Sequence, residues 1–176
     1  VKFKVNNPEV LDKKLPQGKE VFLLVWTTTP WTLIANVAVA VHPDFNYWLM
    51  DIGNEIFIIE SERSSLVLEQ SAGITVKGSG LTNLKYDHPF GFRKDCPVVT
   101  ADYVTKEEGT GIVHTAPGHG QEDHQTGIKY NLEVVMPVDN KGRFTEQAKE
   151  FSGLHVFEAN EKIIEQLKKQ GLLFAQ

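Results

Sequence analysis

The sequence predicts an α+β fold, β-barrel-like, with a few peripheral helices, and reads as one domain over residues 1–176. Three observations carry that expectation. Short runs rich in apolar, β-branched and aromatic residues recur along the chain, turn residues separate them, and few stretches have helical spacing. Many strands with few helices argue against a doubly wound order. No internal repeat or low-complexity linker divides the chain.

Taken in order, Val21–Trp26, Val37–Val41, Tyr47–Ile52, Glu55–Glu60, Ile74–Lys77, Val98–Val104, Thr110–Thr115 and Val134–Val138 read as strands. His42-Pro43-Asp44 supplies one turn, and Gly53-Asn54 closes a hairpin with the positive φ angles a tight turn needs. A short helix over Trp31–Asn36 would start from Thr29 as N-cap and Pro30 as first helical residue. A second helix covers Glu62–Gln70 and ends near Gly73, and a third runs from about Gly120 to Tyr130. The clearest covers Glu158–Gln170: Ala159, Ile163, Ile164 and Leu167 share a face, Glu165 and Lys169 pair on the wet side, and Gly171 stands at the C-terminal stop.

Composition narrows the function. The chain's 176 residues can bury a real core, and 41% apolar content is ordinary for a globular protein. No apolar run approaches the ~20 residues of a membrane span, so no membrane partner is expected. The start "VKFKVNNPEV" has no initiator Met and no apolar signal segment, and reads as the interior of a longer chain. A single cysteine, Cys96, rules out an intrachain disulfide and a Cys-rich zinc site. It fits a cytoplasmic location and a small core role beside Pro97. The net charge of −5 argues against tracking along nucleic acid by counterion release. A strand tip could still enter while a larger partner carries the phosphates.

Two stretches carry chemistry. "HTAPGHGQEDH" (114–124) holds His114, His119 and His124, five residues apart rather than at the i, i+4 spacing of a helical zinc site. Pro117, Gly118 and Gly120 would still let the loop fold back. A metal-dependent hydrolase using these histidines and Asp123 is therefore the alternative reading, although no metal or cofactor is expected. No Gly-x-Ser-x-Gly elbow is present, and Cys96 has no evident base. Glu122 and Asp123 fall in the first turn of the third helix, where the dipole favours an ionised carboxylate. One can cap the helix while the other faces a pocket, as a natural partner for a substrate ammonium. In the second stretch, "VWTTTPWTLIAN" (25–36), threonine hydroxyls stand beside tryptophan walls, the makings of a small hydrogen-bonding pocket.

"WTTTPWTLIAN" (26–36) followed by "GTGIVHTAPGHGQEDH" (109–124) resembles the editing domain inserted in isoleucyl-tRNA synthetase, a class I aminoacyl-tRNA synthetase. The order and separation of the motifs match, and the likeness runs through essentially the whole chain. The valyl and leucyl enzymes typically carry a "TTRP" stretch and a "PAHD"-like motif, and neither occurs here. Ile34 stands where the family often has proline, and His124 where an aromatic is common. The resemblance implies a deacylase that removes valine from the 3′ end of the isoleucine tRNA, with valyl-adenylate as a second substrate. It implies that Asp123 binds the α-ammonium, that His114 and Thr27, Thr28 and Thr29 line the amino-acid pocket, and that Trp26, Trp31, Thr32 and Asn36 shape it. Asp123 and His114 would be the catalytic pair. The remainder of the synthetase chain would be the partner, with no oligomer required. A non-catalytic insert that only holds the tRNA acceptor end is the remaining alternative.

Overall fold

A computed structural model of the chain describes residues 1–11, 16, 18–67 and 72–175. Among these residues the strands are β1 (Lys2–Lys4), β2 (Glu20–Leu24), β3 (Ala38–Val41), β4 (Asn46–Ile52), β5 (Glu55–Glu60), β6 (Ala72–Lys77), β7 (Lys85–Tyr86), β8 (Cys96–Thr100) and β9 (Ile112–Thr115). The α-helices are α1 (Gln121–Tyr130) and α2 (Val156–Lys169). One sheet has the order β1-β2-β5-β4-β6 and the other β7-β8-β3-β9. Both are mixed: β2 lies parallel to β5 and β3 parallel to β8, while the other pairs are antiparallel. Single bridges, Val5 with Tyr86 and Trp26 with Val113, stitch the sheets together. The expected barrel-like shape is thus two sheets joined at their rims, not a closed barrel.

The second sheet positions the site. Its central strand β3 reads Ala-Val-Ala-Val and is buried on both faces, which suits a strand flanked on both edges. Val39 and Val41 enter the main core with Leu23, Leu33, Ile58 and Phe151, while Ala38 and Ala40 pack against Val99, Ala101 and Val104. Cys96 is buried in the main core, as expected, and burial pushes its thiol pKa up.

Three local expectations are corrected. In the β4–β5 hairpin only Gly53 takes a positive φ (59°), so the turn follows the pattern with glycine at its first central position. Val134–Val138 pairs only through one bridge, Val138 with Phe144. Burial alternates there, with Val135 and Pro137 in and Val134 and Met136 out, but Pro137 has no N–H to give a ladder. Ser61–Leu66 forms a 3-10 turn where an α-helix was expected, and residues 68–70 of that segment lie outside the described residues. The other two helices form as read. Gly120 is the N-cap of α1, and Asn131 closes its C-terminus in the left-handed conformation (φ 51°). In α2 the buried stripe is Val156, Ala159, Ile163 and Leu167, Glu165 pairs with Lys169 at 2.8 Å, and Gly171 takes φ 68°. No described helix is long and apolar enough to cross a membrane.

Candidate active site

His114 sits on β9, which pairs antiparallel to β3 with His114 opposite Val39. Beyond Thr115 the chain turns through Ala116–Gly120 into α1, and the first turn of that helix returns Asp123 to the strand end. The amide of Ala116 donates to Asp123 Oδ2 at 2.9 Å, and the Tyr103 hydroxyl donates to Oδ1 at 3.3 Å. Both carboxylate oxygens are therefore oriented by donors from outside the helix. A Cβ on Gly120 would lie 3.2 Å from the Asp123 carboxyl carbon, so the side chain folds back over the helix start. Burial and the neighbouring Asp123 charge push the Tyr103 hydroxyl pKa up to about 12, which keeps it a donor. Glu122, one residue earlier, is exposed.

The threonine stretch continues from β2. Trp26 N–H donates to the Ile112 carbonyl at 3.3 Å, which lays the stretch beside β9. Thr27 Oγ1 accepts from Thr29 N–H at 3.0 Å. Pro30–Ala35 is a 3-10 turn rather than an α-helix, and the Thr29 side chain makes no capping bond. The Thr29 carbonyl serves instead, accepting the Thr32 amide at 3.1 Å and the Thr32 hydroxyl at 2.7 Å. This follows from the tighter turn, in which residues three apart eclipse one another. Trp31 is anchored from α2, its N–H donating to Asn160 Oδ1 at 2.9 Å.

Thr32 Oγ1 lies 3.0 Å from His114 Nε2, so the two motifs meet directly. His114 is 8% exposed, and its Nδ1 is covered with no hydrogen-bond partner among the described residues. Burial lowers its pKa to about 4, the Asp123 charge partly opposes this, and His119 adds to it. The ring is neutral at physiological pH. His119 has its own pKa lowered by burial and packs edge-on against Trp31 at 5.0 Å between centroids. His124 is exposed, with Nδ1 3.3 Å from the Pro117 carbonyl. Among the described residues no group of three or more His, Cys, Asp or Glu side chains is arranged to hold a metal ion.

The other candidates are placed unevenly. Trp26 is 41% exposed and lies against Gly109, where an added Cβ would meet the indole at 2.7 Å. Thr28 is exposed, and Thr27, Thr29 and Trp31 are half-buried. Asn36 is fully buried, with Nδ2 donating to Ala38 O at 2.8 Å and Oδ1 accepting from the Tyr86 hydroxyl at 2.6 Å. It supports the wall from behind and, at 0% exposure, is out of a ligand's reach. A cavity of about 420 Å³ borders Trp26, Thr27, Pro30 and Arg63, and another of about 440 Å³ borders Ile34, Arg93 and Val135. Neither is lined by His114 or Asp123. Sequence reasoning missed Tyr103, the Ala116 amide and Asn160. Tyr103 and Asn160 lie outside both motifs, and Ala116, although inside the second, meets Asp123 only through the turn into α1.

His114 also gives the domain a pH signature, shared with His88. His88 is buried as a neutral ring, donating from Nε2 to Leu33 O at 2.9 Å and accepting the Phe90 amide on Nδ1 at 3.0 Å. Burial lowers its pKa to about 3. Both folded values lie below the ordinary 6.5, so the unfolded chain takes up protons first as the medium acidifies. The contribution of these two rings to stability is therefore expected to be full above pH 6.5 and to fall through pH 6 to 4. The expected slope approaches ~1.4 kcal/mol per pH unit for each histidine, read from urea unfolding midpoints. A flat profile over that range would show that the two rings are not held neutral.

Comparison with known proteins agrees with this architecture. The family model described as "Leucyl-tRNA synthetase, editing domain" matches residues 14–168. Isoleucine–tRNA ligase of Petrotoga mobilis is 51% identical over 159 residues, covering 86% of this chain and 17% of that protein. The corresponding ligase of Nitratidesulfovibrio vulgaris (strain Miyazaki F) is 42% identical, covering 100% of this chain and 19% of that one. The chain thus spans about a fifth of the length of the curated relatives it matches. Among solved structures, that of GlLeuRS-CP1 superposes with a TM-score of 0.77 at 15% identity, covering 100% of this chain and 98% of the other. The editing domain of the P. knowlesi cytosolic leucyl-tRNA synthetase gives 0.74 at 12% identity, covering 97% and 92%. With a model match over most of its length, the chain belongs to the editing-domain family of the aminoacyl-tRNA synthetases.

Proposed function

We propose that this domain hydrolyses valine mis-esterified to the 3′ end of the isoleucine tRNA, accepts valyl-adenylate as a second substrate, and spares isoleucine by size. The observation that carries this reading is the Asp123 carboxylate, oriented on both oxygens by Tyr103 and Ala116, beside a buried neutral His114. A fixed carboxylate pairs well with the α-ammonium that every aminoacyl ester carries. His114 has Nε2 engaged by Thr32 and Nδ1 covered, so it suits a wall rather than a proton carrier. Thr27, Thr28 and Thr29, with Trp26 and Trp31, supply the rest of the rim.

The energetics explain the use of a second site. One methylene in an apolar pocket is worth only about 1–3 kcal/mol, a limit known for this enzyme class itself, so a synthetic site cannot reject valine strongly. A smaller pocket reverses the problem, because overfilling a packed site is penalised. The ester needs a positioned water and a stabilised oxyanion, and the ribose hydroxyl beside it can assist without a protein nucleophile. The net charge of −5 suits a domain that meets only the acceptor end while the rest of the synthetase carries the tRNA body.

The test uses the full-length synthetase with preformed valyl- and isoleucyl-tRNA. Hydrolysis of the first and survival of the second is the expected result. Binding without turnover would support an acceptor-end binding insert instead. Turnover is also expected to be unchanged by a chelator. Stoichiometric zinc by elemental analysis, together with chelator-sensitive turnover, would replace this reading with a metal-dependent hydrolase.

A further inference from the structure

We infer that Thr32 is a positioning residue that holds His114 in one tautomer and one ring orientation, so that the size gate is set from the 3-10 turn. The consequence for selectivity rests on the function proposed above; the lock itself rests only on geometry. Thr32 carries a single hydroxyl proton, and the Thr29 carbonyl 2.7 Å away can only accept it. Thr32 Oγ1 therefore has lone pairs, and no proton, left for His114 Nε2 at 3.0 Å. The ring must donate there. In the neutral ring this makes Nε2 the protonated nitrogen and Nδ1 the bare one.

The remaining surroundings agree. Nδ1 is covered and has no partner among the described residues, so no competing bond there favours the opposite tautomer or a flipped ring. The charged and titratable groups that act on the ring are His119 from the loop and Asp123 from α1, with His88 interacting with it across the core, and none of the three is hydrogen-bonded to it. Thr32 itself cannot move freely. Its amide and hydroxyl share the Thr29 carbonyl, Pro30 stiffens the turn, and Asn160 pins the adjacent Trp31 amide. The hydroxyl is consumed by this chain of bonds, so Thr32 acts through His114.

Two variants test this, Thr32→Val, which keeps the shape and removes the hydroxyl, and Thr32→Ser, which restores it. In the 176-residue chain labelled with ¹⁵N-histidine, long-range ¹H–¹⁵N spectra should show His114 as the Nε2–H tautomer, assigned by loss of its signals in His114→Ala. Thr32→Val should give mixed tautomers and Thr32→Ser the wild-type pattern. A wild-type Nδ1–H pattern, or a pattern unmoved in Thr32→Val, overturns the lock. In the full-length synthetase, Thr32→Val should lower the ratio of valyl- to isoleucyl-tRNA hydrolysis about three- to tenfold, with Thr32→Ser near wild type. A ratio lost in His114→Ala but kept in Thr32→Val overturns the inference and leaves the proposed gate standing. A ratio unchanged in His114→Ala overturns the gate instead, and the nitrogen spectra still decide the lock.

Discussion

Asp123→Ala in the full-length synthetase is expected to abolish deacylation of valyl-tRNA while isoleucine activation stays normal. Losing a charge-assisted contact to an ammonium costs on the order of 2–5 kcal/mol, which is tens- to thousands-fold in rate. Asp123→Asn should be nearly as damaging, because the amide can still accept from the Ala116 N–H but carries no charge. Glu122→Ala removes an exposed acid from the same helical turn and should change little. Equal losses in Glu122→Ala and Asp123→Ala would mean that the acids act through the helix start, not through the substrate.

The second large effect is on selectivity. His114→Ala should admit isoleucine, so that the variant destroys the correct product as well as the wrong one. Transfer into an apolar pocket favours the larger side chain by ~0.8 kcal/mol per methylene, so on the proposed function isoleucine has to be rejected by contact. Overfilling a packed wall typically costs ~1–3 kcal/mol, enough to reverse that preference. The imidazole is suited to such a wall because one nitrogen is bonded to Thr32 and the other is covered. Rates on preformed valyl- and isoleucyl-tRNA decide the matter. If both substrates slow equally and their ratio holds, His114 positions the water and another residue sets the size limit.

The sequence revealed most of the strands and the start of α1, because those signals are local. β-branched runs such as Val37–Val41 and a first-turn acid pair such as Glu122–Asp123 need no tertiary information. β1 escaped because Lys2–Lys4 is three residues long and gains its partner only from β2. The run 134–138 misled because its alternation comes from packing Val135 against Ala35, Val37 and Ala116, without a ladder. In the candidate site the motifs pointed to His114 and Asp123, but spacing could not show that Thr32 spends its hydroxyl or that Asn36 is sealed against Tyr86. Such facts depend on pairings between residues far apart in the chain, and Tyr103 illustrates them best. Its neighbours in sequence hold no hint of Asp123, and only the path from β8 to β9 brings its hydroxyl there.

The strand order of the second sheet also has a kinetic meaning. β3 takes both of its neighbours from much later in the chain, residues 96–100 and 112–115. The Thr32–His114 contact closes a loop spanning 82 positions. Its length-dependent entropy is roughly 4 kcal/mol, incurred before the contact returns anything. Topologies of such high contact order fold in milliseconds to seconds, far slower than helical bundles. The threonine turn and the histidine strand are therefore expected to come together late, after the pairing of β9 with β3. A nascent or partly folded chain has neither the proposed gate nor the proposed anchor in register, and the rate of refolding from urea should limit the return of valyl-tRNA deacylation.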